Sequence, residues 1–471
     1  MTLRATRPDP ALHQALPEIT QRLTRAAAEQ HAPALAVGIV RDQELAWFAG
    51  YGRPRLDLDQ SPTADTLFRV ASITKTFTVA ALLQLRDAGR LSLDDPLQRH
   101  LPEFAAAQER GGPVAGVTLA RLASHHSGLA TEAPLPSWDG FNFPTREALL
   151  AALPRVEVTI PQDSAFKYSN LAFGLLGEVV ARVSGRPYAE YVLTEILEPL
   201  GMTASVFDLA AANNPYCAIG YMPDLFQDAV APAPIAHLGA LEACGQLHST
   251  TADLAKWISL QFRSGASNAT PAAILQPATL EEFHRPRYLE PDWSSGYCLG
   301  WRVTRIGNRV YHGHGGGLPG FASYIAFSKT GRSGVICLAN MWPHPGLLNL
   351  ATDVLESLHK ADVATRSAGC ASSPPPQTPA HFRRLLGLYQ AALGIPAQIE
   401  FKGGLLRLAK SPLADYVLHA PALLEQTSDP TLFVVRGGRC SGERAEFEFD
   451  AAGAVLGFKL GGFVYRKLEP R

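Results

Sequence analysis

The chain lacks any apolar run close to the roughly 18–20 residues that a membrane-spanning helix needs, so a transmembrane reading is excluded. It also has little charge of either sign to spare: 42 Lys and Arg stand against 43 Asp and Glu, a formal net charge of −1. That balance offers no electrostatic footprint for nucleic acid or for an anionic membrane. Cys217, Cys244, Cys298, Cys337, Cys370 and Cys440 include no C-x-x-C pair. They read as reduced, mostly buried thiols. G-x-S-x-G is absent, which excludes a nucleophile elbow. No P-loop occurs, and no strand is followed by a dinucleotide-type glycine turn. The N-terminus, MTLRATRPDPALHQALPEIT, has no apolar h-region. No secretory signal is read there, and the expected address is the cytoplasm. His125-His126 and His312-x-His314 have metal-ligand residue types, but no H-E-x-x-H or acidic cluster joins them. No metal and no cofactor is expected.

What is present fills 471 residues, enough for one large domain and a smaller second one. A helical pattern covers residues 8–30. Two strand candidates follow, ALAVGIV from Ala34 and ELAWFAG from Glu44, separated by a hairpin-length gap. Residues 118–265 read mainly as helices, with Thr118, Thr145, Asn170 and Thr250 or Thr251 as caps and Gly185 and Gly265 as stops. Strands return at 297–304, 309–312, 322–328 and 333–339, and a helix near 347–358 closes the unit. The expected fold class is α+β: an antiparallel sheet built from both ends, flanked by the terminal helices, with an all-helical insertion beside it. Domain limits are set at 1–362, with a Pro/Ser-rich extended linker at 363–380. Residues 381–471 alternate apolar and polar at period two, which predicts a small all-β meander or barrel.

Chemistry concentrates in FRVASITKTFTVAALLQL, residues 68–85. Ser72 falls where a short apolar strand gives way to a long helical pattern, and Lys75 lies one turn further on. S-x-x-K also occurs at Ser164–Lys167 and Ser357–Lys360, but only the first copy is framed by a strand and an apolar helix. An interior lysine suffers desolvation of its charged form, which suits a base near neutral pH. Tyr168-Ser169-Asn170 is the only Y-x-N in the chain. A phenol held near Lys75 could relay the proton of Ser72 to a leaving group. HGHGGGLPGF, from His312, supplies three successive glycines whose backbone can approach a ligand closely. A helix cap and a hairpin turn are the plain structural readings of the last two.

S-x-x-K, then Y-x-N, then a glycine-rich H-x-G, in that order, resemble the serine β-lactamase-related hydrolases. That family includes class C β-lactamases, D-stereospecific peptidases and carboxyesterases. The likeness spans roughly residues 10–360. It implies that Ser72 is the acylated nucleophile and that Lys75 and Tyr168 form its base system. Asn170 would position Lys75 and substrate, and His314 and Gly316 would fill the third motif. The backbone N–H groups of Ser72 and Gly317 would form the oxyanion hole. Where β-lactamases carry K-T-G, this chain has His314-Gly315-Gly316. A permanent cation and a hydroxyl that would grip a β-lactam carboxylate are thus replaced.

The expected function is a serine hydrolase acting on a small ester, with D-peptide or amide hydrolysis, or weak β-lactam turnover, as the alternative. A non-catalytic scaffold that keeps the fold and works through its C-terminal β-domain is the rival from another class. The expected partner is a small-molecule ester, amide or peptide, with neither nucleic acid nor membrane. The sequence leaves the oligomeric state open. Trp138, Phe141, Phe143, Tyr216, Tyr221 and Phe226 are candidates for an apolar substrate pocket.

Overall fold

Strand β1 (Ala34–Arg41) is buried along nearly its whole length, because each of its two faces meets a separate core. Leu35, Val37 and Ile39 point to one side. There they pack with Ile19 and Leu23 of α1 (Pro10–Glu29) and Leu350 and Val354 of α5 (Leu347–Ser372). Ala36 and Val40 point to the other side, toward Phe77 of α2 (Thr74–Asp87) and Ile258 of α4 (Thr251–Gln261). This is the two-residue period of a pleated strand expressed as two hydrophobic layers. The computed structural model describes residues 9–29, 32–138, 141–209, 217–223, 229–263, 274–342, 346–372, 377–391, 396–409, 422–437 and 440–468. Contacts divide the chain into two compact units, residues 1–365 and 366–471.

The first unit is built on an eight-stranded antiparallel sheet. Besides β1 it contains β2 (Glu44–Gly52), β4 (Tyr288–Leu289), β5 (Ser295–Tyr297), β6 (Arg302–Ile306), β7 (Arg309–Leu318), β8 (Phe321–Ser328) and β9 (Ser333–Ala339). The spatial order is β2-β1-β9-β8-β7-β6-β5-β4, so strands from both ends of the unit meet at β1 and β9. The short β3 (Phe68–Arg69) pairs outside this sheet with His248–Ser249. Terminal helices cover one face and the helical insertion covers the other, as the patterning predicted. In the insertion α2 is buried from Thr74 through Leu83, and Phe77 stacks on Trp257 of α4 at 4.1 Å. A helix enclosed in this way holds its first-turn side chains rigidly.

Several expectations need correction. The strand expected at 297–304 is two strands, β5 and β6, because Gly300 turns the chain at φ 70°. Gly315, Gly316 and Gly317 lie within β7, paired to Tyr324, Ser323 and Ala322, and the turn comes later at Pro319-Gly320. Helix α3 (Asn170–Ser184) is capped by Ser169, whose hydroxyl accepts from Ala172 N–H, rather than by Asn170. The supposed extended linker is helical through Ser372, since α5 continues past residue 362. Its alanines favour the helix as far as Ser372. The stop expected at Gly265 lies outside the described residues.

The second unit is a closed barrel of eight antiparallel strands, from Gly387–Gln390 through Phe463–Lys467. Each strand pairs with its successor in the chain, and the last returns to the first. A single four-residue helical turn, Ala380–Arg383, precedes it. Inward-facing Ile399, Leu408, Phe433, Phe447 and Tyr465 fill the interior, where Phe458 stacks on Tyr465 at 4.6 Å. Gly403-Gly404 makes a two-residue hairpin with both φ angles positive, a conformation that glycine adopts without a Cβ penalty.

Candidate active site

Ser72 sits in a single 3₁₀ turn, Ala71–Ile73, between β3 and α2. Ala71 holds φ at 47°, a left-handed conformation that costs a non-glycine residue energy and persists only where neighbours enforce it. Those neighbours are identifiable. Ser323 Oγ donates to Val70 O at 2.8 Å, Val70 N–H donates to Leu247 O at 3.0 Å, and Thr74 Oγ1 donates to Ala71 O at 2.6 Å. Gly316 explains why the triplet must be glycine. A Cβ there would collide with Val70 O and Ser323 Oγ and sit 3.0 Å from Ala71 Cβ. A Cβ at Gly317 would lie 2.6 Å from Trp342 Nε1. The glycine run thus lets β7 lie directly against the turn that carries Ser72.

Lys75 is fully buried, and its Nζ has three polar neighbours: Ser72 Oγ at 3.0 Å, Asn170 Oδ1 at 2.9 Å and Cys244 O at 2.7 Å. The amide and carbonyl oxygens can only accept. In a neutral amine they take both N–H bonds, and the lone pair is left facing the Ser72 hydroxyl. This is the arrangement of a nucleophile beside an oriented base. Because Ser169 does the capping, the Asn170 side chain is free to serve Lys75. Its Nδ2 donates to Glu132 Oε1 at 2.6 Å.

Tyr168 presents its ring to Lys75, with Nζ 4.9 Å from the centroid, and makes no hydrogen bond to Ser72 or Lys75. His125 brackets it. Ser169 N–H donates to His125 Nδ1 at 3.1 Å, Lys167 N–H donates to His125 O at 2.9 Å, and the two rings lie 4.3 Å apart. His125 is thus a support for Tyr168. Burial, with Lys75 nearby, keeps it neutral by pushing its pKa well below the usual histidine range.

His314 lies on β7 beside the glycines. Its Nδ1–H donates to Gly315 O at 2.7 Å, and its Nε2 accepts from Tyr297 Oη at 2.7 Å. Gly315 O can only accept, so it fixes a proton on Nδ1, while the Tyr297 hydroxyl can serve either form of the ring. Burial, then the charge of Lys75, pushes the His314 pKa down to about 3. The third motif therefore holds no cation. Gly315 likewise supplies no hydroxyl.

A cleft of about 880 Å³ opens onto Ser72, Tyr168, Asn170, His314, Gly316 and Gly317, so it brings together every site residue named from the sequence except Lys75, which lies behind Ser72 and Asn170. Trp138, Phe141, Phe166 and Trp342 give it apolar walls. The side chain of Arg302, also in its lining, forms no ion pair or hydrogen bond with the described residues. Of the other aromatic candidates, Phe143 packs edge-on against Trp138 at 4.9 Å. Tyr221 is buried, and its hydroxyl accepts from Leu56 N–H. Tyr216 and Phe226 lie outside the described residues. The two remaining S-x-x-K serines have local partners: Ser164 Oγ donates to Pro161 O and Ser357 Oγ to Glu18. Glu132, His125 as a support and the Cys244 carbonyl were not found from the sequence. Glu132 lies in an irregular loop, His125 resembles a metal ligand through its doublet with His126, and the carbonyl is backbone. Among the described residues no group of three or more His, Cys, Asp or Glu could hold a metal, and no helix is long and apolar enough to cross a membrane.

Known proteins resemble this chain in sequence and in fold. A human beta-lactamase-like protein is 30% identical over 78% of this chain and 73% of its own length. A Dictyostelium discoideum beta-lactamase-like protein is 32% identical over 61% of this chain. The match spans about half of that relative's length, 52%. The structure of an octameric penicillin-binding protein homologue from Pyrococcus abyssi aligns with a TM-score of 0.62 at 22% identity, over 96% of this chain and all of that one. A class C beta-lactamase from Rhodobacter sphaeroides aligns with a TM-score of 0.60 at 23% identity, over 73% of this chain and 99% of that one. The fold is therefore of the β-lactamase/transpeptidase type. The profile of the Beta-lactamase family matches residues 19–358, nearly all of the first unit, and the chain belongs to that family, whose members are generally serine hydrolases.

Proposed function

We propose that this chain hydrolyses carboxylic esters through an acyl-enzyme on Ser72. The observation that carries the reading is the buried Lys75 Nζ, held by Asn170 Oδ1 and Cys244 O at 3.0 Å from Ser72 Oγ, where an amine that has given up its proton would turn its lone pair to that hydroxyl. As Oγ bonds to the ester carbonyl carbon, its proton passes to Nζ and the carbonyl π pair becomes an oxyanion. The N–H groups of Ser72 and Gly317, both residues of the cleft, would receive that charge. The Tyr168 ring face stabilises the ammonium as it forms. Collapse breaks the bond to the alcohol oxygen. The leaving alkoxide takes the Tyr168 proton, and Lys75 returns one to the phenolate. Water then repeats addition and collapse on the acyl-enzyme, releasing the acid.

Ester is preferred over β-lactam because His314 is neutral and Gly315 lacks a hydroxyl, so the third motif offers no grip for a substrate carboxylate. Arg302 supports a second reading. Its uncommitted guanidinium at the cleft favours a substrate with an anionic end, such as a peptide with a free C-terminus. A fluorophosphonate probe followed by peptide mapping tests the nucleophile. Label on Ser72 is expected, and label elsewhere or none overturns the assignment. A panel of p-nitrophenyl esters, D- and L-aminoacyl anilides and nitrocefin tests the substrate. Esters should be fastest, and a faster D-aminoacyl anilide would transfer the assignment to the peptidase reading.

A further inference from the structure

We infer that Glu132 is a positioning residue for the Lys75 base, acting through Asn170; the inference rests on the hydrolase reading above. Glu132 reaches the site through its own loop. Thr131 O accepts N–H bonds from Asn170 at 2.8 Å and Leu171 at 3.1 Å, and Ala130 O accepts from Ser169 Oγ at 2.7 Å. The same three-residue stretch therefore satisfies the opening of α3 and delivers a carboxylate to the Asn170 amide.

The chemistry of the row Ser72–Lys75–Asn170–Glu132 is directional. A neutral Lys75 could either donate to an amide oxygen or accept from an amide nitrogen. If Asn170 turned its Nδ2 toward Lys75, that N–H would occupy the lone pair which Ser72 needs. A carboxylate can only accept, so Glu132 holds Nδ2 on its own side at 2.6 Å and leaves Oδ1 for Lys75. Glu132 Oε2 is buried and has no hydrogen-bond partner among the described residues, so its charge is not committed elsewhere. When Lys75 takes the Ser72 proton, a buried ammonium forms one amide away from this carboxylate. Its charge favours that species in a poorly solvated interior. Neither Cys244 O nor the Tyr168 ring supplies a negative charge there. Glu132 thus plays toward Lys75 the part that an orienting group plays toward a catalytic base, without touching substrate.

The test is the fluorophosphonate labelling of Ser72 in the full chain, with the rate constant at saturation and the probe affinity measured separately. Glu132→Gln keeps the shape and removes both the charge and the acceptor-only character. Its saturating rate is expected to fall about tenfold, the order of one hydrogen bond to a charged group, with affinity within twofold. Glu132→Asp keeps the charge on a shorter arm and should recover most of that loss. Unchanged labelling in Glu132→Gln overturns the inference. So does a Glu132→Asp variant as slow as the glutamine one, because shape rather than charge would then be responsible. If Glu132→Gln fails to fold, Glu132→Asp decides alone: a rate within threefold of wild type supports the role, and a tenfold loss overturns it. Wild-type chain that takes no label at Ser72 would instead sink the hydrolase reading beneath it.

Discussion

The two units of this chain solve the same packing problem with opposite kinds of contact. In the barrel, every strand but the closing pair bonds to its neighbour in sequence, and the interior is a filled core of its own. In the first unit, strands from opposite ends of the sequence meet at β1 and β9, and the cleft gathers Ser72, Asn170 and His314 from distant segments. Local pairing gives a module that can be read and built piece by piece. Long-range assembly brings four chemically distinct side chains within hydrogen-bond reach, at the cost of depending on close approach between distant backbones.

Matched glycines test this difference most sharply. Gly316 in β7 and Gly457 in the barrel both leave no room for a Cβ, the first against Val70 O and the second against Tyr465 O. Gly316→Ala should push β7 away from the turn bearing Ser72, and kcat/KM on a generic ester should fall about 10²-fold, since misplacing reacting groups by an ångström costs that much. Gly457→Ala should destabilise the barrel by about 1–3 kcal/mol through overpacking and leave turnover within twofold. Equal losses of turnover from both would mean that the barrel takes part in the chemistry.

A smaller effect separates the units by pH. His125, His126, His248, His284, His312 and His314 are buried in the first unit, all with lowered pKa values, about 3 for His248 and His314 and about 4 for His312. Burial is the leading cause in each case. The barrel buries no histidine among its described residues. Between about pH 6.5 and 4 the unfolded chain binds protons that the folded first unit refuses. Stability therefore rises with pH across that window and is lost on acidification. Calorimetric scans from pH 7.5 to 4.5 should show the first unit's Tm falling steeply and the barrel's far less. A parallel shift of both transitions would contradict the assignment of six buried histidines with lowered pKa values to one unit.

What the sequence disclosed follows the same division. Period-two alternation sufficed for the barrel, because a strand whose partner is next in the chain leaves its whole pattern in one window. The layered α+β unit was legible from caps and apolar faces, and the residues singled out by type and order, Ser72, Lys75, Tyr168, Asn170 and His314, come together at or behind the cleft. The errors have physical causes. Ser169 and Asn170 are both competent caps, and only the partner of each side chain decides between them. The glycine triplet resembled a turn because the carbonyl that forbids a side chain, Val70 O, is remote in sequence. The linker was read as extended because its prolines outweighed the helix-favouring alanines before them. Glu132 carried no local pattern, and the Cys244 carbonyl had no side-chain signal to leave.

The smallest expected effect is that of removing the barrel altogether. Every residue lining the cleft falls between Ser72 and Leu348, and the two cores of the first unit share no side chain with the barrel's core. A chain ending after Ser372 retains α5 complete, and with it the packing of Leu350 and Val354 against β1. It should keep kcat and KM on p-nitrophenyl acetate within twofold, because Ser72, Lys75, Asn170 and their partners Glu132 and Cys244 all remain. A fall beyond tenfold with an unchanged Tm for the remaining unit would overturn the separation. Catalysis would then need a contribution that the barrel's filled interior does not suggest, and the contrast between a locally built module and a long-range active site would no longer describe how the chain works.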